Sequence, residues 1–206
     1  MVVEQNPNKK PTAPETAASG SAFGIVLEVI KIVAIALAII IPVRYFLIQP
    51  FSVRGPSMEP TFFDGEYLIV DELSYDLPNH APRRGEVVVF RFPGDQTQFY
   101  IKRIIGLPGE TVEVKNGHVT IKNKDNPEGS VLDESAYLDA SVVTTGNTVV
   151  TLGKDEYFVM GDNRTQSSDS RSFGAVERKL FVGRVGVRAW PFDRATTFHA
   201  PSYSTN

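Results

Sequence analysis

From Phe23 to Ile48 nearly every position is apolar, and Ile32 to Val43 carries no charge at all. As a helix this stretch extends about 39 Å at 1.5 Å per residue, enough to cross a bilayer core of about 30 Å. Glu28 and Lys31 interrupt it three residues apart, on one helical face where they can pair or snorkel. Arg44 and Tyr45 suit the far interface. Ahead of it, residues 1–22 are rich in Pro, Thr, Ala, Ser and Gly, a composition that buries too little apolar surface to fold alone. The pattern predicts a flexible tail over 1–22 and an uncleaved membrane anchor over 23–48. A cleaved signal peptide is the poorer reading, because Pro42, Val43, Arg44 and Tyr45 stand where a small-x-small cleavage site belongs. A buried core helix is the remaining alternative. Lys9, Lys10 and Lys31 favour an N-terminus on the inner side.

After Ile48 the period changes. Short Val/Ile/Tyr/Phe runs at Tyr67–Val70, Glu86–Arg91, Phe99–Ile105, Thr111–Val114, His118–Ile121, Tyr157–Met160 and Arg184–Trp190 are separated by Gly, Pro, Asn and Asp. Such runs read as strands bounded by turns, and Asn116-Gly117 between two of them is a strong hairpin signal. No later segment has a long apolar repeat of 3.6 residues. The expected fold is therefore mainly β, a single transmembrane helix followed by an antiparallel β-sheet domain over 49–194, with a C-terminal tail over 195–206. Residues 122–148 turn polar, with Lys122, Lys124, Asp125, Glu128, Asp133, Glu134 and Asp139, and read as an insertion: a solvated loop, or a flap over a substrate.

The net charge of −3 gives no basic footprint, so nucleic acid is not an expected partner. Cysteine is absent, which removes disulfides and thiol chemistry together, and His80, His118 and His199 stand far apart outside any metal-binding spacing. No metal and no cofactor is expected.

Three polar clusters carry candidate chemistry. Ser57 lies between Pro56 and Pro60 and two residues after Gly55, on a stiff and irregular backbone able to present a hydroxyl and aim nearby N–H groups. By itself it is equally a linker turn. A serine nucleophile needs a base, and without a suitable histidine the candidate is Lys102, inside the apolar run Phe99–Ile105. Strand alternation puts Tyr100, Lys102 and Ile104 on one face. If that face is inward, burial lowers the lysine pKa and supplies a neutral amine; if outward, Lys102 is an ordinary surface cation. The third cluster, Gly161 to Arg171, reads as a plain loop or as a support in which a hydroxyl orients the amine and an Asp/Arg pair fixes the backbone.

Together these clusters resemble the type I signal peptidases, the serine/lysine-dyad proteases that remove signal peptides from exported proteins. Ser57–Thr61 resembles the family's nucleophile box, Tyr100–Glu110 its lysine box, Gly161–Arg171 its Gly-Asp-Asn-Arg box, and Arg84–Phe90 its Arg-Gly-Asp strand with Glu86 in the acidic place. The likeness runs from about Lys31 to Phe192 in family order. It implies Ser57 as nucleophile, Lys102 as general base, Ser167 bonded to the lysine, and Asp169 with Arg171 as a supporting ion pair. It implies one oxyanion donor from the Ser57 backbone; Gly55 stands where some members have a serine whose hydroxyl is the second. It also implies cleavage after small-x-small residues, preprotein substrates, a lipid bilayer as partner, and a plasma-membrane location with the catalytic domain outside. A self-cleaving repressor domain uses a similar pair, but this chain has a membrane span where a helix-turn-helix would stand. A non-catalytic tethered β module that binds exported peptides is the other alternative.

Overall fold

The computed structural model describes residues 22–46, 49–75 and 80–203. It divides into two compact units, 1–41 and 42–206. Helix α1 (Ala22–Phe46) takes up the predicted anchor, and its window Phe23–Ile40 is long and apolar enough to cross a membrane, with none of those residues buried. Leu47 and Ile48, and all of the expected tail except Ala22, lie outside the described residues.

The second unit is built from strands. In chain order they are β1 (Gln49–Ser52), β2 (Tyr67–Asp71), β3 (Val87–Phe92), β4 (Asp95–Gly106), β5 (Thr111–Lys115), β6 (His118–Lys122), β7 (Ser130–Val131), β8 (Thr148–Thr151), β9 (Glu156–Met160), β10 (Val176–Glu177), β11 (Phe181–Trp190) and β12 (Thr196–Thr197). One sheet runs β1-β2-β11-β3-β4-β9-β10, with β12 beside β11; a smaller one runs β7-β6-β5-β8. All pairings are antiparallel, as the short runs and tight turns predict. The Asn116-Gly117 signal is the β5–β6 hairpin: Lys115 pairs with His118, and both turn residues have positive φ, 52° and 86°.

Side-chain alternation explains why one sheet serves two cores. In β3, Val87 and Val89 face a cluster with Met58, Phe62, Leu68 and Val70, while Val88 and Phe90 face Ile104, Val159 and Phe181. In β9, Tyr157 and Val159 join the latter cluster, while Phe158 and Met160 turn to Val112, Val114, Val119 and Ile121 of the smaller sheet. Strand β9 thus holds the two sheets together. Gly106, at the end of β4, sits where a Cβ would collide with Val112 and approach Leu152 Cδ1 at 2.8 Å.

Two segments differ from expectation. The polar stretch 122–148 is docked as well as solvated. Its Glu134 pairs with the fully buried Arg164 guanidinium, Tyr137 stacks on Arg103 at 4.0 Å, and Leu138 and Thr144 are buried. Composition hid this because the insertion attaches through ion pairing and a single ring. Residues 195–203, read as a tail, also pack on the domain: β12 extends the sheet, Phe198 stacks on Phe62 at 4.5 Å, and Tyr203 reaches Tyr137. Its apolar anchors, Phe198 and Tyr203, are too widely spaced to show a strand period.

Two stability outcomes follow from this packing. Gly106→Ala loses about 1–3 kcal/mol through overpacking, and Glu134→Ala about 3 kcal/mol by leaving the Arg164 charge buried without its partner, both measured by denaturant unfolding against wild type.

Candidate active site

The segment after β1 turns back on itself through backbone bonds from Val53 N to Glu66 O (2.8 Å) and from Phe62 N to Met58 O (2.9 Å). Met58 and Phe62, both without solvent exposure, fasten this loop to the core. Gly55 has φ 80°, and its N–H donates to Asp64 Oδ1 at 2.7 Å. Ser57 is held between these anchors at the wall of a cleft, half-buried. Its carbonyl accepts from Asn163 N at 3.1 Å, while its own N–H has no acceptor among the described residues.

Lys102 comes from the middle of β4, register partner of Val88, and is 4% exposed. The inward alternative is therefore the observed one. Its Nζ lies 2.8 Å from both Ser57 Oγ and the Ile101 carbonyl, donating to each when charged. In the neutral amine the serine contact runs the other way, with the hydroxyl donating to the nitrogen lone pair. Burial lowers the lysine pKa to about 8, against weaker upward pulls from Asp169 and Asp162.

Gly161 to Arg171 forms the third side. Arg171 grips Asp169 through Nε and Nη2, both at 2.8 Å, and Asp169 also accepts from Gly161 N at 3.1 Å and caps helix α2 (Ser170–Phe173). Burial pushes the Asp169 carboxyl up, but the Arg171 bond and charge, the Gly161 N–H and the Ser167 hydroxyl outweigh it and hold the group below its usual range. Ser167 Oγ is buried, makes no bond of good geometry, and does not donate to Lys102; the bond the family resemblance implies is absent from this arrangement. It faces Gly161 instead, where an added Cβ would collide with Ser167 Oγ and Ser57 O. Glycine there lets the third cluster close on the nucleophile.

Several residues near the site escaped the sequence reading. Arg103 forms a two-pronged pair with buried Asp162 (2.8 and 2.6 Å), and Asp162 also accepts from Thr61 Oγ1 at 2.6 Å. This ties β4 to the nucleophile loop and to the Gly161 loop at once. A charged residue beside Lys102 in an apolar strand was the available signal; its partner lies 59 positions away and only folding reveals it. Glu86, by contrast, accepts from Tyr75 and Arg83 and touches neither Ser57 nor Lys102.

The cleft encloses about 580 Å³ and is lined by Phe51, Leu68, Val89, Phe99, Tyr100 and Ile101 around the Ser57/Lys102 pair. Strand β9 pairs with β4 only from Arg103 onward, so the β4 edge up to Lys102 offers free backbone groups beside this cleft among the described residues. No group of three or more His, Asp or Glu side chains among the described residues is placed to hold a metal. The arrangement can activate a hydroxyl and hold an extended peptide against it.

Residues 26–190 match the family described as signal peptidase, peptidase S26. Signal peptidase IB of Staphylococcus aureus (strain COL) is 35% identical over 179 residues, covering 81% of this chain and 91% of that protein. Signal peptidase I P of Bacillus subtilis subsp. natto is 37% identical over 172 residues, covering 82% and 91%. A solved signal peptidase I from Enterococcus faecalis V583 aligns with 50% of this chain and 96% of its own, at 31% identity and a TM-score of 0.41. The family match spans most of the sequence and contains every element of the cleft: the chain belongs to the signal peptidase family, peptidase S26.

Proposed function

We propose that this protein is a membrane-anchored endopeptidase that removes signal peptides from exported preproteins, with Ser57 as nucleophile and Lys102 as general base. The observation that carries the reading is the 2.8 Å contact between a buried lysine amine and a serine hydroxyl in a peptide-sized cleft. Neutral Lys102 takes the Ser57 proton as Oγ attacks the scissile carbonyl carbon. The C–N bond then breaks, the lysine passes that proton to the leaving amine, and water hydrolyses the acyl-enzyme by the same route. The unpaired Ser57 N–H is oriented by its loop to stabilise the oxyanion. Gly55 has no hydroxyl, and its N–H is committed to Asp64, so a second donor must come from elsewhere.

Asp169 and Arg171 hold the Gly161 loop beside the pair. Small side chains at the first and third positions before the cut, the preference the family resemblance implies, would pack on the apolar lining of Phe51, Leu68, Val89 and Ile101. The substrate adds as a strand along the free β4 edge. On this reading the anchor lies in the plasma membrane with the catalytic domain outside it.

Ser57→Ala and Lys102→Met each lower cleavage of a preprotein in detergent by at least about 10³-fold while retaining the wild-type circular dichroism spectrum. Wild-type-like cutting by either folded variant overturns the dyad. Because the working form is the neutral amine, kcat/KM rises with pH and reaches half its plateau near about 8; a profile already flat from pH 6 to 10 contradicts the assignment of Lys102 as base.

A further inference from the structure

The cleft holds a second cation that this chemistry does not use. Arg54 lines it, exposed, three residues before Ser57. Arg84, Arg103, Arg164, Arg171, Arg184 and Arg188 each pair with a carboxylate. Arg54 makes no ion pair or hydrogen bond among the described residues, and the nearby carboxylate of Asp64 is turned to the Gly55 N–H. Among the described residues lining the cleft, Arg54 is a cation outside the dyad and there is not one acid. Arg91, stacked on the cleft residue Phe99 at 4.8 Å, adds positive charge at that wall. A chain with net charge −3 thus concentrates unopposed positive charge where substrate binds.

We propose that Arg54 is a specificity-determining residue that selects substrates carrying an acidic side chain close to the cut. The proposal rests on the reading of this cleft as the peptide-cutting site. Three residues span at most about 10 Å when extended and less in this bent loop, so the guanidinium meets side chains within two or three positions of the scissile bond. The first and third positions before the cut are reserved for small residues. The charge is therefore read at the second position before it or at the first two after it. The alternative is an arginine whose stem covers apolar wall and whose charge is merely solvated; it predicts no discrimination by sign.

The test uses the full chain in detergent and fluorogenic peptides with one small-x-small core, bearing Glu, Gln or Lys at each of those three positions. At one position at least, kcat/KM for Glu exceeds that for Lys by about three- to ten-fold, with Gln between, a size suited to a partly exposed pair. The ratio shrinks at 1 M salt, where screening is nearly complete beyond about 3 Å. Arg54→Glu reverses the order, and Arg54→Gln flattens it, which decides the matter if the charge-reversed protein cuts too slowly to rank. Equal rates for Glu and Lys at all three positions, or an order unchanged in both variants, overturn the proposal while leaving the peptidase reading intact. Failure of wild type to cut even the Gln peptides overturns that reading, and this proposal with it.

Discussion

The site depends on keeping one lysine amine out of water without giving it a carboxylate partner. A charged amine in that position would be a poor base, and a direct ion pair would hold it charged to high pH. Lys102 has the serine hydroxyl and a main-chain carbonyl at 2.8 Å, and no acid within ion-pair distance among the described residues. Asp162 and Asp169 are the acids whose charge reaches it, and both are gripped by arginines, Arg103 and Arg171. Burial outweighs what remains of their pull on the amine. The carboxylates can then organise loops near the amine at little cost to its basicity in the neutral form.

The same pairs join elements distant in sequence. Asp162 links β4 to the nucleophile loop through Thr61, Asp169 closes the Gly161 loop on itself, and Glu134 brings the polar insertion onto Arg164. Arg188 adds a hold on the Thr61 carbonyl and on buried Glu66. Arginine is suited to these places because its planar fork satisfies two oxygens at once and stays charged when buried. Removing one partner from the Asp162, Asp169 or Glu134 pair leaves a buried charge alone, whereas Glu66 also has Arg194 at 3.0 Å.

Alternating apolar runs made most of the strands legible, and their boundaries moved by only a few residues because turn-forming Gly, Pro and Asn punctuate them. The edge pieces β7, β10 and β12 were not legible, since two-residue strands carry no period. Strand β1 was hidden by Pro50 and the polar Gln49 and Ser52. Lys102 could be singled out as an amine in an apolar run, but alternation could not decide which way it faced; the pairing with Val88 did. Asp169 with Arg171 was expected from the likeness to the family, but the long-range arginine pairs were invisible for a simple reason. Partners such as Arg103 and Asp162 lie 59 residues apart, and neither shows a local pattern. Ser167 was named from the family likeness, and its hydroxyl is buried beside Gly161 without a hydrogen-bond partner among the described residues.

The central claim is that the fold lowers the Lys102 pKa far enough for an appreciable fraction of the amine to be neutral near physiological pH. Its most direct measurement is NMR titration of the lysine side-chain carbon next to Nζ in the full-length, detergent-solubilised protein, the Lys102 signal being assigned by its loss in Lys102→Met. A midpoint near about 8 is the expected result, from burial without a paired carboxylate. A midpoint at the ordinary lysine value of about 10.4 would contradict the account, because the amine would then be charged when the serine needs a base.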